Sequence, residues 1–303
     1  SSPLRYPPGY TWLYDVKRAK KPTSATIIAD FKITDFRRTL SKKLDLHLCL
    51  TMLNSHASQL SEATIASFQP AKSVGAPNEL KKVLLRRQGK DLDTLFTSVI
   101  EPYIETRNIT FIQEADVRCI EGVMLPSDSV RGVKVTLTNG RVDYIVYSTN
   151  KFVLFEVDHS FMFRGTIGVY SIKNNEVVLS YINDGDIIGG HQGCLSSVTG
   201  QIIDFTHDLT EQSTIMIRTK QNIDPNLLAG RYIYVDNNIL DKGEYNSCYE
   251  IQSGECLNEN ILLHLGNSSL IRGYIDQKDF GKGYVYYVAE GMKFHIPLSF
   301  IAK

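Results

Sequence analysis

The stretch LDLHLCLTML, residues 44–53, decides the fold. Leu44, Leu46, Leu48, Leu50 and Met52 fall on one side of it. Asp45, His47, Cys49 and Thr51 fall on the other. That is a period of two, the signature of a half-buried β-strand and not of a helix. The leucine side is the one expected to face a core.

The same period recurs outward from this segment. ATIIADFKITDF (25–36), DTLFTSVIEPY (93–103), STIMIRTK (213–220) and GRYIYVDNN (230–238) are further strand candidates. In VKVTLTNGRVDYIVYS (133–148), Asn139-Gly140 separates two alternating runs. Asn-Gly in that place predicts a tight hairpin with positive φ at both turn residues. SIKNNEVVLSYINDGDII (171–188) predicts two more turns, at Asn174-Asn175 and within NDGD, residues 183–186. Short strands with turns every ten or so residues imply antiparallel sheets packed as a sandwich or barrel. The expected fold class is therefore all-β: a large antiparallel β-sandwich followed by a smaller C-terminal β-domain.

One segment departs from the pattern. NELKKVLLRRQGKDL (78–92) places Leu80, Val83 and Leu84 at helical spacing. Asn78 suits an N-cap and Gly89 a stop, which predicts one short helix over 78–89. Gly189, Gly190 and Gly193 lie within five residues, and a new series of strands follows. The expected division is 1–194 for the sandwich and 195–303 for the small domain.

The chain has 303 residues, with 33 basic and 33 acidic side chains. Zero net charge argues against a bulk electrostatic partner such as duplex DNA, so no nucleic acid is expected. No apolar run approaches the roughly 20 residues that span a bilayer, so no membrane partner is expected either. SSPLRYPPGY at the N-terminus lacks the pattern of a signal peptide, and export stays open. The five cysteines form no CxxC pair, which leaves zinc knuckles unsupported; Cys248 and Cys256 could pair, but spacing alone does not decide it.

Two pairs of residues carry candidate chemistry. Asp45 and His47 share one strand face and could ligate a metal or form an acid–base dyad. A metal needs a further convergent ligand that no local spacing supplies. Glu156 and Asp158 in FEVDHS are also i and i+2, and paired carboxylates can act on a sugar. The bland reading of both pairs is a solvated strand face. Lys81, Lys82, Arg86, Arg87 and Lys90 on the expected helix could hold an anionic glycan, or simply be its wet face. No phosphate loop and no GxSxG elbow is present. Sixteen tyrosines could stack on sugars or fill strands.

The segment RGYIDQKDFGKGYVYYVAEGMKFHIP (272–297) resembles the closing segment of heparinase II/III-type polysaccharide lyases, through Arg272-Gly273-Tyr274, Asp276, Asp279-Phe280, Gly283-Tyr284 and Phe294-His295-Ile296-Pro297. LAGRYIYVDNN (228–238) and EYNSCYEI (244–251) resemble what precedes it. YDVKRAK (14–20), the segment 35–53, the segment 84–103 and the hairpin at 133–148 are similar to that family's sandwich region, in the same order. The resemblance implies a stacked super-sandwich with a small C-terminal β-domain, and β-elimination at a uronic acid of an acidic polysaccharide. It implies a partner domain, the family's N-terminal α/α toroid, which nothing in the first 40 residues matches. The family's metal-site segment is likewise unmatched, so no catalytic residue, metal ligand or cofactor is carried onto this chain. Its implied role is to support the toroid and form one wall of the cleft, inactive alone, in the periplasm or outside the cell. The alternative is a stand-alone carbohydrate-binding or structural β-module.

Overall fold

The computed structural model describes residues 12–20, 26–35, 42, 44–53, 60–70, 77–92, 94–122, 125–126, 129–193, 196–236 and 247–303. They form an all-β chain of antiparallel sheets, of the sandwich class. Among the described residues helical structure is confined to two 3-10 turns, Pro225–Leu228 and Phe280–Lys282, and no helix is long and apolar enough to cross a membrane.

Up to residue 148 the strands are β1 (Tyr14–Lys20), β2 (Thr26–Ile33), β3 (Leu46–Leu53), β4 (Leu60–Phe68), β5 (Leu80–Arg87), β6 (Thr97–Ile104), β7 (Ile109–Ala115), β8 (Val117–Cys119), β9 (Val130–Leu137) and β10 (Val142–Ser148). Then come β11 (Phe155–Val157), β12 (Phe161–Lys173), β13 (Glu176–Ile188), β14 (His191–Gln192), β15 (Ser197–Phe205), β16 (Ser213–Arg218), β17 (Tyr232–Val235), β18 (Ser247–Glu250), β19 (Ser253–Leu257) and β20 (Asn260–Gly266). The last are β21 (Ile271–Tyr274), β22 (Tyr284–Tyr286), β23 (Lys293–Pro297) and β24 (Ser299–Ala302). The described residues within 1–116, 124–145 and 171–176 form one compact unit; those within 117–123, 146–170 and 177–303 form the other. The division expected between 194 and 195 lies outside the described residues, and the chain on both sides of it belongs to the second unit.

In the first unit β4 lies between β1 and β5, and β3 between β2 and β6. The helix expected over 78–89 is instead strand β5, with Leu85 opposite Ala63 and Val83 opposite Ile65. A three-turn helix is marginal alone in water, whereas the same residues complete the ladder of β4. The basic cluster is divided with it, because alternate residues of a strand point to opposite faces. Lys81 pairs with Glu79 and Asp15, Lys82 lies over the Trp12 ring, and Arg87 lies over Phe96.

β7 pairs with β9 through Ile112 opposite Val135 and Glu114 opposite Val133. Leu53, Ile112, Val133 and Val135 make a small core there. The turn at 139–140 forms, but with positive φ at Gly140 alone. Gly140 N–H donates to the Leu137 carbonyl, so the turn is a type I turn closed by a left-handed glycine.

In the second unit seven strands run in the order β18-β17-β23-β15-β16-β20-β19. One side of this sheet carries the larger core, including Ile202, Ile215, Ile217, Leu263, Phe294 and Ile296. β12 and β13 form a long hairpin around Asn174-Asn175, both with positive φ as the sequence predicts. NDGD is not a turn: residues 183–186 lie inside β13. Gly185 explains why. A Cβ there would lie 2.4 Å from the Gly165 Cα and 2.5 Å from the Arg164 carbonyl oxygen. The glycine therefore serves a close strand approach rather than a reversal. Asp184 takes up the local kink with φ 49°, and its carboxylate accepts from Lys151 Nζ at 2.7 and 2.9 Å.

Candidate functional site

Asp45 and His47 do come together, in a network drawn from three strands. Lys32, His47 and Tyr103 stand side by side across β2, β3 and β6. The His47 ring stacks on Tyr103 at 4.9 Å between centroids. Its Nδ1 lies 3.0 Å from Asp30 Oδ2 and its Nε2 lies 3.4 Å from Asp45 Oδ2. The Tyr103 hydroxyl donates to Asp30 Oδ2 at 2.7 Å, and Lys32 donates to Asp45.

The electrostatics follow from these contacts. The Tyr103 hydrogen bond holds Asp30 below its ordinary carboxylate range, and the Lys32 ammonium does the same for Asp45. The Asp30 carboxylate in turn pushes Tyr103 up to about 12. Tyr103 thus stays protonated at neutral pH and is no base, while both His47 nitrogens face carboxylates. The network is closed on itself.

Deeper on the same face lie Cys49, Thr51 and Glu101. Glu101, 5% exposed, accepts from Arg107 Nε at 2.7 Å and from the backbone N–H groups of Asn108 and Ile109 at 2.8 and 2.9 Å. Its carboxylate holds the turn between β6 and β7, a structural task that the sequence reading missed.

Glu156 and Asp158 do not share a strand face, because β11 ends at Val157. Asp158 and His159 form the turn into β12, both with positive φ. Glu156 is joined instead by His159, whose Nδ1 lies 2.8 Å from Glu156 Oε2. Cys248 and Cys256 are both free thiols.

The closing segment holds a row of aromatic rings. β21 and β22 form a hairpin with Tyr274 opposite Tyr284. Phe280 in the connecting loop packs on Tyr274 at 4.3 Å, and Tyr274 meets Tyr284 at 5.3 Å. Tyr284 is followed by Tyr286 at 6.4 Å, and Tyr286 by His207 at 5.2 Å. Phe280 and Tyr274 are exposed, and Tyr284 and Tyr286 half-buried. Val288 is buried in the core and Tyr286 packs against it. The Tyr286 hydroxyl also donates to the His207 carbonyl at 3.0 Å, which fixes that end of the row.

Asp204, His207 and Glu290 bring one ligand atom each to within 4.8 Å of one another. All three are exposed, and exposed carboxylates gather without holding an ion. No family model, curated protein or solved structure matches the chain.

Proposed function

We propose that this chain recognises a polysaccharide, with the ring row of the β21–β22 hairpin as its platform. The observation that carries the reading is the sequence Phe280, Tyr274, Tyr284, Tyr286, with neighbouring ring centroids 4.3 to 6.4 Å apart on an accessible face. Aromatic faces take up the C–H edges of sugar rings, and a row of them follows a polymer. The hairpin belongs to the segment that resembles heparinase II/III-type lyases. On that resemblance the polymer is acidic and carries uronic acid, and the chain supports the cleft wall of a lyase in the periplasm or outside the cell.

β-Elimination needs a base for the C5 proton and an acid for the leaving oxygen. Asp45 and His47 are engaged with Lys32 and Asp30, and Tyr103 is held protonated. This supports a role in binding, with base and acid supplied by a toroid domain of the same parent protein. The reading is tested by titrating the protein with sulfated glycosaminoglycan, uronate polymer and neutral glucan. Binding is expected to weaken about 5- to 150-fold in the double variant Tyr274→Ala/Tyr284→Ala, since each ring contributes roughly 0.5–1.5 kcal/mol. Equal binding by the variant, or no binding to any polymer, overturns it. Release of unsaturated uronate above a heat-killed control would overturn the non-catalytic role.

A further inference from the structure

We propose that the groove beside β7 takes up an extended, uncharged peptide segment of a partner protein, which joins β7 as an added antiparallel strand. Two layers meet there. In the sheet of β2, β3 and β6, Thr26 stands opposite Leu53, Ile28 opposite Thr51 and Thr51 opposite Val99, so these residues share one face. β7 and β9 lie against that face, because Ile112, Val133 and Val135 form one core with Leu53 and Val99. The covering layer ends at β7, an end strand of its sheet. It therefore reaches β3 and stops short of β2: Thr51 and Leu53 are 3 and 5% exposed, whereas Ile28 is 59% exposed. The upper layer is one strand too narrow for the floor beneath it.

The step between floor and edge is a cavity of about 570 Å³. Thr26, Ile28, Thr51 and Leu53 line its floor, and five successive residues of β7, 110–114, line its side. Side chains of a strand alternate between its two faces, so five in succession border one cavity where the strand presents its edge. Such an edge carries unpaired backbone N–H and C=O groups, the groups that an incoming strand answers. Glu101 takes the N–H groups of Asn108 and Ile109, just before this stretch. Beyond them, among the described residues, β9 is the one strand paired with β7. A strand added one spacing further out, about 4.8 Å away, would lie over Ile28 and complete the layer.

The lining selects the kind of segment. Its two charged residues are each paired within the protein: Arg107 Nε donates to Glu101 at 2.7 Å, and Glu114 lies 3.7 Å from Arg131. With no unbalanced charge in the wall, a charged residue would be desolvated there without a partner, so the occupant is uncharged. The floor asks for apolar side chains at every second position, set on Ile28 and Leu53. The five wall residues span about 16 Å at roughly 3.3 Å per residue, which admits a segment of about five residues.

The test is a titration of the whole chain with the peptide acetyl-Thr-Val-Thr-Val-Thr-amide, followed by NMR and amide hydrogen exchange. Saturable binding is expected, with slowed exchange of amides within 110–114. Ile28→Ala should weaken binding about 3- to 20-fold, through the lost apolar contact. Ile100→Ala should leave it unchanged, because Ile100 is 60% exposed on the opposite face of the same sheet. Two further peptides carry N-methyl groups on either the Thr or the Val nitrogens. One of the two should fail to bind, since one set of N–H groups faces β7. Tyr274→Ala should leave binding unchanged, so failure of this groove and failure of the ring row are read separately. No saturable binding, equal losses in Ile28→Ala and Ile100→Ala, or full binding by both methylated peptides overturns the proposal.

Discussion

Strands β3 and β20 obey the same alternation and reach opposite ends. In β20 the aliphatic residues Ile261, Leu263 and Leu265 are 7, 0 and 1% exposed, and the polar His264 turns outward to Glu255. In β3 the leucines 46, 48 and 50 are only half-buried, and the deepest residues are Cys49, Thr51 and Leu53, at 1, 3 and 5%. The cause lies in what each sheet faces. β20 belongs to a seven-stranded sheet with one apolar core. β3 sits at the centre of three strands, and its Cys/Thr side holds the Glu101 network and meets the small core of β7 and β9. Periodicity therefore identifies a strand, while the layer opposite decides which of its faces is buried.

The largest test of this contrast is a pair of truncations. Leu263→Ala should cost about 2–5 kcal/mol in chemical denaturation, the range for a fully buried leucine. Leu48→Ala should cost about 1 kcal/mol or less, because the residue gives up less burial. Equal costs would break the comparison. Next in size is Glu101→Ala, which strands the Arg107 guanidinium and two backbone donors. Unsatisfied buried donors cost about 1–3 kcal/mol each, so a loss of about 2–4 kcal/mol is expected from the partly buried set. Glu101→Gln should recover part of it, since the amide oxygen still accepts.

The smallest effect is in alkali, and it separates the two regions by cause. Tyr103 is raised to about 12 by the Asp30 carboxylate, and Tyr249 to about 12 by burial. Both phenols resist ionisation more when folded than when unfolded, where they titrate near 10. Their contribution to stability is thus fully present below about 10 and lost as pH rises through about 12. Ultraviolet titration of Asp30→Asn should move one of these two phenols back toward 10 and leave the other in place. Movement of both, or of neither, would sink the assignment of causes.

Much of the fold was legible because strand period and turn chemistry are local. β3, the 139–140 hairpin and the Asn174-Asn175 reversal all follow from neighbouring residues. β5 was misread because Leu80, Val83 and Leu84 fit a helix as well as a strand, and only the ladder of β4 decides between them. NDGD was misread because a glycine that permits a turn also permits two backbones to touch. Asp45 and His47 were legible as a pair, but Asp30 and Tyr103, which close their network, come from two other strands. The ring row was foreshadowed by tyrosine abundance, but its order depends on the β21–β22 pairing.

The facing glycines of β12 and β13 act as a key for alignment. If the long ribbon slid by two positions, every side chain would keep its proper face, so the inside–outside pattern would raise no objection. The slide would, however, force Phe163, Ile167, Asn183 or Ile187 into a gap that admits only a hydrogen atom. A misaligned ribbon is thereby refused by shape alone. Two residues with no side chain of their own do the proofreading for a hairpin of twenty-eight residues, Phe161 to Ile188.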